Sequence, residues 1–273
     1  MSFLAAMSVA SVVMLASLPP CLAAEGGAPC AGLELGPRGV VTAVRDGDTV
    51  MLDSGEMIRL IGIQAPKLPL GRPDFEPWPL AGESKSALEA LTLGQSAVLY
   101  YGPTRRDRHD RVLGHLVLAE TGQWVQAEMI GAGMARVYSF PDNRVCLAQL
   151  LDVERDARLA RLGLWNDPYY ELRDARHPDT LLPLEGRYEL VEGRVLKAER
   201  VGRRVYLNFG RVWKDDFTVV IETAGLRQFE KSGLDPLAFD DKVVRVRGWM
   251  NVLDGPRMEV THPEQIELLT GRL

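Results

Sequence analysis

Three short stretches of this chain set carboxylates beside arginines. The first is Asp46-Gly47-Asp48-Thr49, the second Arg59-Leu60-Ile61-Gly62-Ile63-Gln64-Ala65-Pro66-Lys67, and the third Asp107-Arg108-His109-Asp110-Arg111. Such residue types suit phosphodiester chemistry, in which hard oxygen ligands hold a divalent cation and guanidinium forks neutralise charge that grows on phosphate. Each stretch also has a plain structural use. Asp-Gly is a common hairpin turn, and arginines often end in surface ion pairs. The joint occurrence, in this order, carries the signal.

The elements that position these residues can be read from hydrophobic periodicity. From residue 39, Val40, Val41, Ala43, Val44, Val50, Leu52, Ile58, Leu60, Ile61 and Ile63 follow a strand pattern broken by turns at Asp46-Gly47 and Asp53-Ser54-Gly55, which predicts a three-stranded meander. Residues 66–79 hold Pro69, Pro73, Pro77, Phe75 and Trp78 and read as an ordered, irregular loop opening beside Lys67. A helix is predicted over 81–93, closed by Gly94. Strands at 97–101 and 112–118 flank the arginine-rich turn, and helices follow at 126–138 and 144–162. Beyond Trp165 the composition turns polar. A second strand-rich module then spans 188–198, 204–209, 217–222, 242–250 and 257–269, with a short helix near 226–231.

The order and spacing of the charged residues resemble the staphylococcal nuclease (thermonuclease) family over residues 40–165, and Gly163-Leu164-Trp165 resembles its terminal signature. The resemblance implies a mainly β fold with α (α+β): an OB-type five-stranded barrel with three helices. The strand pattern adds a second, small OB-like β-barrel. By the same resemblance Asp48 is a ligand of a divalent metal, calcium, with Asp46 nearby and the Ala65 backbone carbonyl as a further ligand. Arg59 and Arg111 match the catalytic arginines that contact the scissile phosphate, a task suited to their fixed charge and two-pronged geometry. Tyr138, Phe140 and Arg108 fall where the family binds nucleic acid, with the aromatic rings suited to stacking on bases.

Two positions depart from the family. Gln64 stands where a metal-binding aspartate is usual, and an amide oxygen ligates without net charge. Lys67 stands at the position of the general base, where a protonated amine cannot accept a proton and opposes a nearby cation. Asp74 or Glu76, in the same loop, could substitute for the absent carboxylate. Two function classes follow. One is an exported, metal-dependent nuclease acting on DNA or RNA with reduced or altered activity, and the balance of retained residues leans that way. The alternative is a non-catalytic module binding nucleic acid or protein.

The chain has 273 residues, 46% of them hydrophobic, enough for a real core. Its net charge of −5 disfavours sequence-blind attraction to nucleic acid, so such contact needs a local basic patch. Residues 1–24 carry no charge and read as a signal peptide, with an N-terminal membrane anchor as the competing reading. A periplasmic or secreted protein follows, without stable membrane association after cleavage. The expected organisation continues with a flexible start at 25–38, the nuclease-like domain at 39–166, a linker at 167–184 and the OB-like domain at 185–273. Cys30 and Cys146 are either one disulfide or two unrelated thiols. In the second module Tyr206, Phe209, Trp213 and Phe217 interleave with Arg203, Arg204, Arg211 and Lys214. Strand aromatics more often fill cores than bind ligands, and the partner of this module is open.

Overall fold

A computed structural model describes residues 27–269. The expected signal segment lies outside the described residues. Among those described, no helix is long and apolar enough to cross a membrane.

The first half contains β1 (Glu34–Asp46), β2 (Thr49–Leu52), β3 (Met57–Leu60), β4 (Ile63–Gln64), α1 (Ala81–Thr92), β5 (Ser96–Tyr101), β6 (Val112–Leu118), α2 (Val125–Gly131), β7 (Arg136–Val137) and α3 (Leu147–Leu159). Strands β1, β2, β3, β6 and β5 form a closed barrel in that order, with β3 and β6 parallel and the other neighbours antiparallel. Closure lets every inward side chain meet another, and Val41, Val50, Ile58, Leu99 and Leu116 are fully buried there. The helices pack onto the same core through Leu88, Ile130, Leu147 and Leu150. The α+β barrel expected from the sequence is therefore present.

Several boundaries differ. The stretch expected to be a flexible start opens β1 at Glu34, and Cys30 is disulfide-bonded to Cys146, 116 positions away. The third expected strand breaks at Gly62, whose φ of +80° suits a residue without Cβ, so Ile63 and Gln64 leave the barrel to pair with β7. The helix expected over 126–138 stops at Gly131, which frees Arg136 and Val137 to form that partner strand. The last helix of this half starts at Leu147 rather than 144.

The second half contains β8 (Arg173–Asp174), α4 (Pro178–Leu181), β9 (Tyr188–Arg194), β10 (Lys197–Val201), β11 (Arg204–Asn208), β12 (Thr218–Ile221), α5 (Thr223–Lys231), β13 (Val243–Val252), β14 (Pro256–Glu259) and β15 (Ile266–Leu268). Its sheet runs β10-β11-β12-β14-β13-β9-β8, with β12 and β14 parallel. The chain runs directly from β9, next to one end of this path, into β10 at the other end. Between β9 and β10, the Val195 N–H donates to Lys242 O and the Leu196 N–H to Asn208 O, both at 2.8 Å, bonding in turn to the β13 side and the β11 side. Phe217, Phe229, Val205 and Val246 fill this second core.

Residues 167–184, expected to be a linker, are structured. Strand β8 pairs in parallel with β9, Tyr170 is buried, and Leu181 and Leu184 belong to the second core. The halves meet across a polar seam. Arg247, fully buried on β13, reaches Glu154 Oε2 on α3 at 2.7 Å and Glu267 Oε1 at 2.5 Å. Arg144 reaches Glu264 at 2.8 Å, and Ser139 Oγ lies 2.6 Å from His262 Nε2.

Candidate functional site

The turn between β1 and β2 sets the site. Gly47 has no room for a side chain: a Cβ there would stand 2.0 Å from Ser84 Oγ and 2.6 Å from Ala65 Cβ. The turn is therefore pressed between α1 and the strand that follows Gly62, which directs Asp48 inward. Its carboxylate is fully buried. Asp48 Oδ2 accepts the Ala65 N–H at 2.9 Å and the Lys67 ammonium at 2.6 Å, and pairs with Arg59 Nη2 at 3.2 Å. The Thr49 hydroxyl donates to Oδ1 at 3.3 Å.

Arg59 leaves β3 beside this carboxylate but is also held by backbone. Its guanidinium donates to Asp48 O at 3.2 Å, Leu60 O at 2.6 Å and Ile63 O at 2.8 Å. A buried guanidinium so held satisfies the irregular chain at Gly62 and keeps little capacity for an external phosphate. Lys67 keeps 24% of its side chain exposed, at the mouth of the cluster.

The electrostatics follow from this arrangement. Burial alone would raise the Asp48 carboxyl, but Arg59 and then Lys67 outweigh it and hold it well below the usual carboxylate range. Asp46, whose Oδ1 accepts the Asp48 N–H at 3.2 Å, moves upward because burial and the neighbouring Asp48 charge outweigh the pull of Lys67 and Arg59. Burial presses the Lys67 ammonium downward against the pull of Asp48.

Gln64 faces elsewhere. Its Oε1 accepts from Arg136 Nε at 3.2 Å and Nη2 at 3.1 Å, a consequence of the β4–β7 register that sets the two residues opposite one another. Arg136 is buried within a ring of aromatic faces, with its guanidinium carbon 4.9 Å from the Tyr188 centroid, 5.4 Å from Tyr170 and 5.9 Å from Trp78. Tyr170 and Tyr188 come from the second half of the chain. Tyr170 also donates its hydroxyl to Pro79 O at 2.7 Å, pinning the proline-rich loop whose Trp78 N–H bonds Lys67 O at 2.9 Å.

Arg111 lies 31% exposed and pairs with Asp107, whose Oδ2 it meets at 2.7 Å. Asp107 is lowered by Arg111, against the effect of its partial burial. Arg108 Nε donates to the His109 ring at 3.2 Å. Tyr138 is half-buried at the seam: Tyr188 and Phe140 meet it edge-on, each at 4.9 Å between centroids, and Trp249 Nε1 donates to its hydroxyl at 3.2 Å. Phe140 stays half exposed.

The structure thus joins Asp46, Asp48, Ala65, Arg59 and Lys67 in one cluster and sets Gln64 in another. A divalent cation does not fit the first cluster. Lys67 Nζ already stands 2.6 Å from the oxygen that would ligate it, Arg59 adds a second positive charge, and Gln64 is turned to Arg136. Among the described residues no group of three His, Cys, Asp or Glu side chains is placed to hold a metal. Sequence reasoning missed Arg136, Tyr170 and Tyr188. The available signal was an arginine between Ala135 and Val137, both buried, since a cation inside an apolar run needs a partner.

Residues 57–167 match the family described as staphylococcal nuclease homologues. Protein ParB of Escherichia coli is 33% identical over 143 residues, covering 48% of this chain and 74% of that protein. An uncharacterized protein of Methanocaldococcus jannaschii is 27% identical over 149 residues, covering 47% of this chain and 71% of its own length. An uncharacterized 38.1 kDa protein of Capnoides sempervirens is 32% identical over 108 residues, 40% of this chain and 28% of that protein.

Proposed function

The chain belongs to the family of staphylococcal nuclease homologues, and from that starting point we propose that it is a nuclease-fold protein that binds nucleic acid without hydrolysing it by a cation-assisted route. One observation carries this reading: the Lys67 ammonium sits on Asp48 Oδ2 at 2.6 Å, with Arg59 on the same oxygen. The carboxylate that would attract a divalent ion is neutralised twice over, and no carboxylate stands at position 67 to activate water. Export is part of the proposal. A disulfide between Cys30 and Cys146 suits an oxidising compartment, in keeping with the signal segment expected at 1–24 and a periplasmic or secreted location.

A hydrolase of altered chemistry is the second reading. It draws on Arg111, which keeps nearly a third of its side chain in solvent, and on the downward pressure of burial on Lys67. The Asp48 contact works against it, because a lysine held by a buried carboxylate stays protonated.

The two are separated by incubating the protein with single- and double-stranded DNA and with RNA, in calcium, magnesium, manganese or chelator, beside an Arg111→Gln variant. The expected result is intact nucleic acid under every condition. Cleavage that needs a divalent ion overturns the proposal. Cleavage that survives chelator and is lost in Arg111→Gln establishes the second reading.

A further inference from the structure

The second sheet carries a groove on one face, with Val220 and Thr218 buried in its floor and Trp213 and Leu253 exposed at its rim, and its contents are not those of a surface that only meets water. Along β11 the core takes Val205 and Leu207, while Arg204, Tyr206 and Asn208 point outward. The register carries this outer row onward: Tyr206 stands opposite Val220, Asn208 opposite Thr218, and Thr218 opposite Arg257. Trp213, in the loop between β11 and β12, and Leu253, in the turn between β13 and β14, rise at the rim of this floor. They enclose a cavity of about 420 Å³, and Trp213 is 57% and Leu253 56% exposed. A large aromatic ring left half in solvent, with only the Lys214 ammonium on its flexible stem 5.3 Å from its centroid, stands beside a half-buried tyrosine and supplies a π face for stacking.

Charge is distributed to match. Although the whole chain carries −5, residues 197–231 hold eight Lys and Arg against five Asp and Glu. On the other side of the β10–β11 hairpin a cleft of about 560 Å³ is lined by Arg200, Arg203 and Arg227. None of these three, nor Arg257 on the sheet face, has a side-chain hydrogen bond or ion pair with another described residue. The acidic groups nearby are partly engaged: Glu199 is held by Lys197 at 2.5 Å and by Asn208 at 3.1 Å, and Asp235 caps the turn at Leu237. Glu230 and Asp254, at the two edges, have no hydrogen bond or ion pair from their side chains among the described residues.

We infer that the outer face of β11 and β12, with Trp213 above it and the unpaired arginines around the β10–β11 hairpin, is a binding site for single-stranded nucleic acid. Bases stack on Trp213 and Tyr206, and the phosphate backbone runs past Arg257 toward Arg203 and Arg227. Stacking suits a single strand because only unpaired bases present free faces, and it tolerates any sequence. The inference rests on the reading of the protein as a nucleic-acid binder, but it uses no residue of the Asp48 cluster.

The test uses the full chain and fluorescein-labelled oligothymidylate and oligouridylate of about 12 nucleotides, a length within the site size of such barrels. Fluorescence anisotropy is read at several salt concentrations beside a duplex of equal length. Single strands are expected to bind more tightly than duplex and to quench tryptophan emission. Trp213→Ala weakens binding about tenfold or more, as expected for loss of a stacked base. Arg203→Ala and Arg257→Ala each flatten the salt dependence, by about 0.7 in the slope of log affinity against log salt. Thermal melts matching the parent show that these exposed positions leave the fold intact.

Absence of oligonucleotide binding overturns the inference. So does preference for duplex, or binding unaffected by all three substitutions, which would locate the nucleic acid elsewhere. Oligoglutamate that binds with the same dependence on Trp213, where oligonucleotides fail, would instead identify an acidic protein partner. None of these outcomes touches the reading of the Asp48 cluster, which the cleavage assay judges.

Discussion

The two barrels share one plan and put opposite charges at the same place in it. Each contains one parallel pair, β3 with β6 in the first and β12 with β14 in the second, and in each a helix, α1 or α5, lies in the chain between the two members of that pair. The pairing of Asp46 with Thr49 closes a two-residue turn, Gly47-Asp48, and that of Val201 with Arg204 closes another, Gly202-Arg203. Asp48 and Arg203 therefore stand at topologically equivalent positions. Asp48 is driven inward because α1 crowds its turn through Ser84, and it ends fully buried beneath Lys67 and Arg59. Gly202 has nothing within 4 Å of where its Cβ would stand, and Arg203 remains in solvent. What sits over the turn, rather than the turn itself, decides whether a charge becomes internal structure or an available site.

The comparison can be broken most forcefully at the seam. Arg247→Ala leaves buried Glu154 with only Arg158, at 3.4 Å, as counter-charge. Removing one member of a buried pair costs about 3–5 kcal/mol, and this remaining partner keeps the loss at the lower end. Urea unfolding followed by tryptophan emission is expected to shift to lower midpoint and to split, as the barrels lose their tie. A single cooperative transition at the parental midpoint would show that they do not depend on this contact. Cys30→Ser removes the link from the first strand to the start of α3, with an expected loss of about 2–4 kcal/mol. That loss belongs to the first barrel alone, so protease protection of the second barrel is expected to be unchanged.

Asp48→Asn follows, at roughly 2–3 kcal/mol: it strands two cations, but Lys67 is partly open to water, which reduces the penalty. Arg203→Ala, at the equivalent position, is expected to leave the thermal midpoint within experimental error. Equal losses at the two positions would refute the contrast between an internal and an available charge.

The smallest effect is in pH. Burial pushes His115, in the first barrel, down to about 3, and pushes His262, at the seam, down to about 4. Both are neutral in the fold, while the unfolded chain takes up protons below about 6.5. Stability is therefore full above that value and declines as pH falls from about 6.5 toward 4. The depressed Asp48 acts in a separate window: its contribution is present above about 4, the unfolded value, and is lost below it. Denaturant midpoints measured across pH 3–8 should show the two stages, and His262→Asn should weaken the upper one.

How far the sequence disclosed all this depended on the range of the deciding contacts. Alternation located the barrel strands because their burial is decided by the strand's own two faces. It missed β7 because the helical period runs on past Gly131 and Gly133, where the helix ends, and the strand character of Arg136 and Val137 exists only in the pairing with Ile63 and Gln64. Residues 167–184 read as a linker because their composition is polar, yet Tyr170, Leu181 and Leu184 reach cores built by distant segments. In the candidate site, the meeting of Asp48, Arg59 and Lys67 agrees with the family spacing. The direction of Gln64 could not be read, since Arg136, Tyr170 and Tyr188 lie up to 124 positions away by their own numbering. Phe209 and Phe217 are buried and Trp213 is exposed, so the aromatic run divides between core and surface.

The cage around Arg136 governs position 64. An acidic residue placed at position 64 would stand against a guanidinium held in place by Tyr170 and Tyr188, and the two would pair with each other rather than with a cation. The second half of the chain thus holds position 64 away from the Asp48 cluster, so the two clusters stay separate while the halves remain joined.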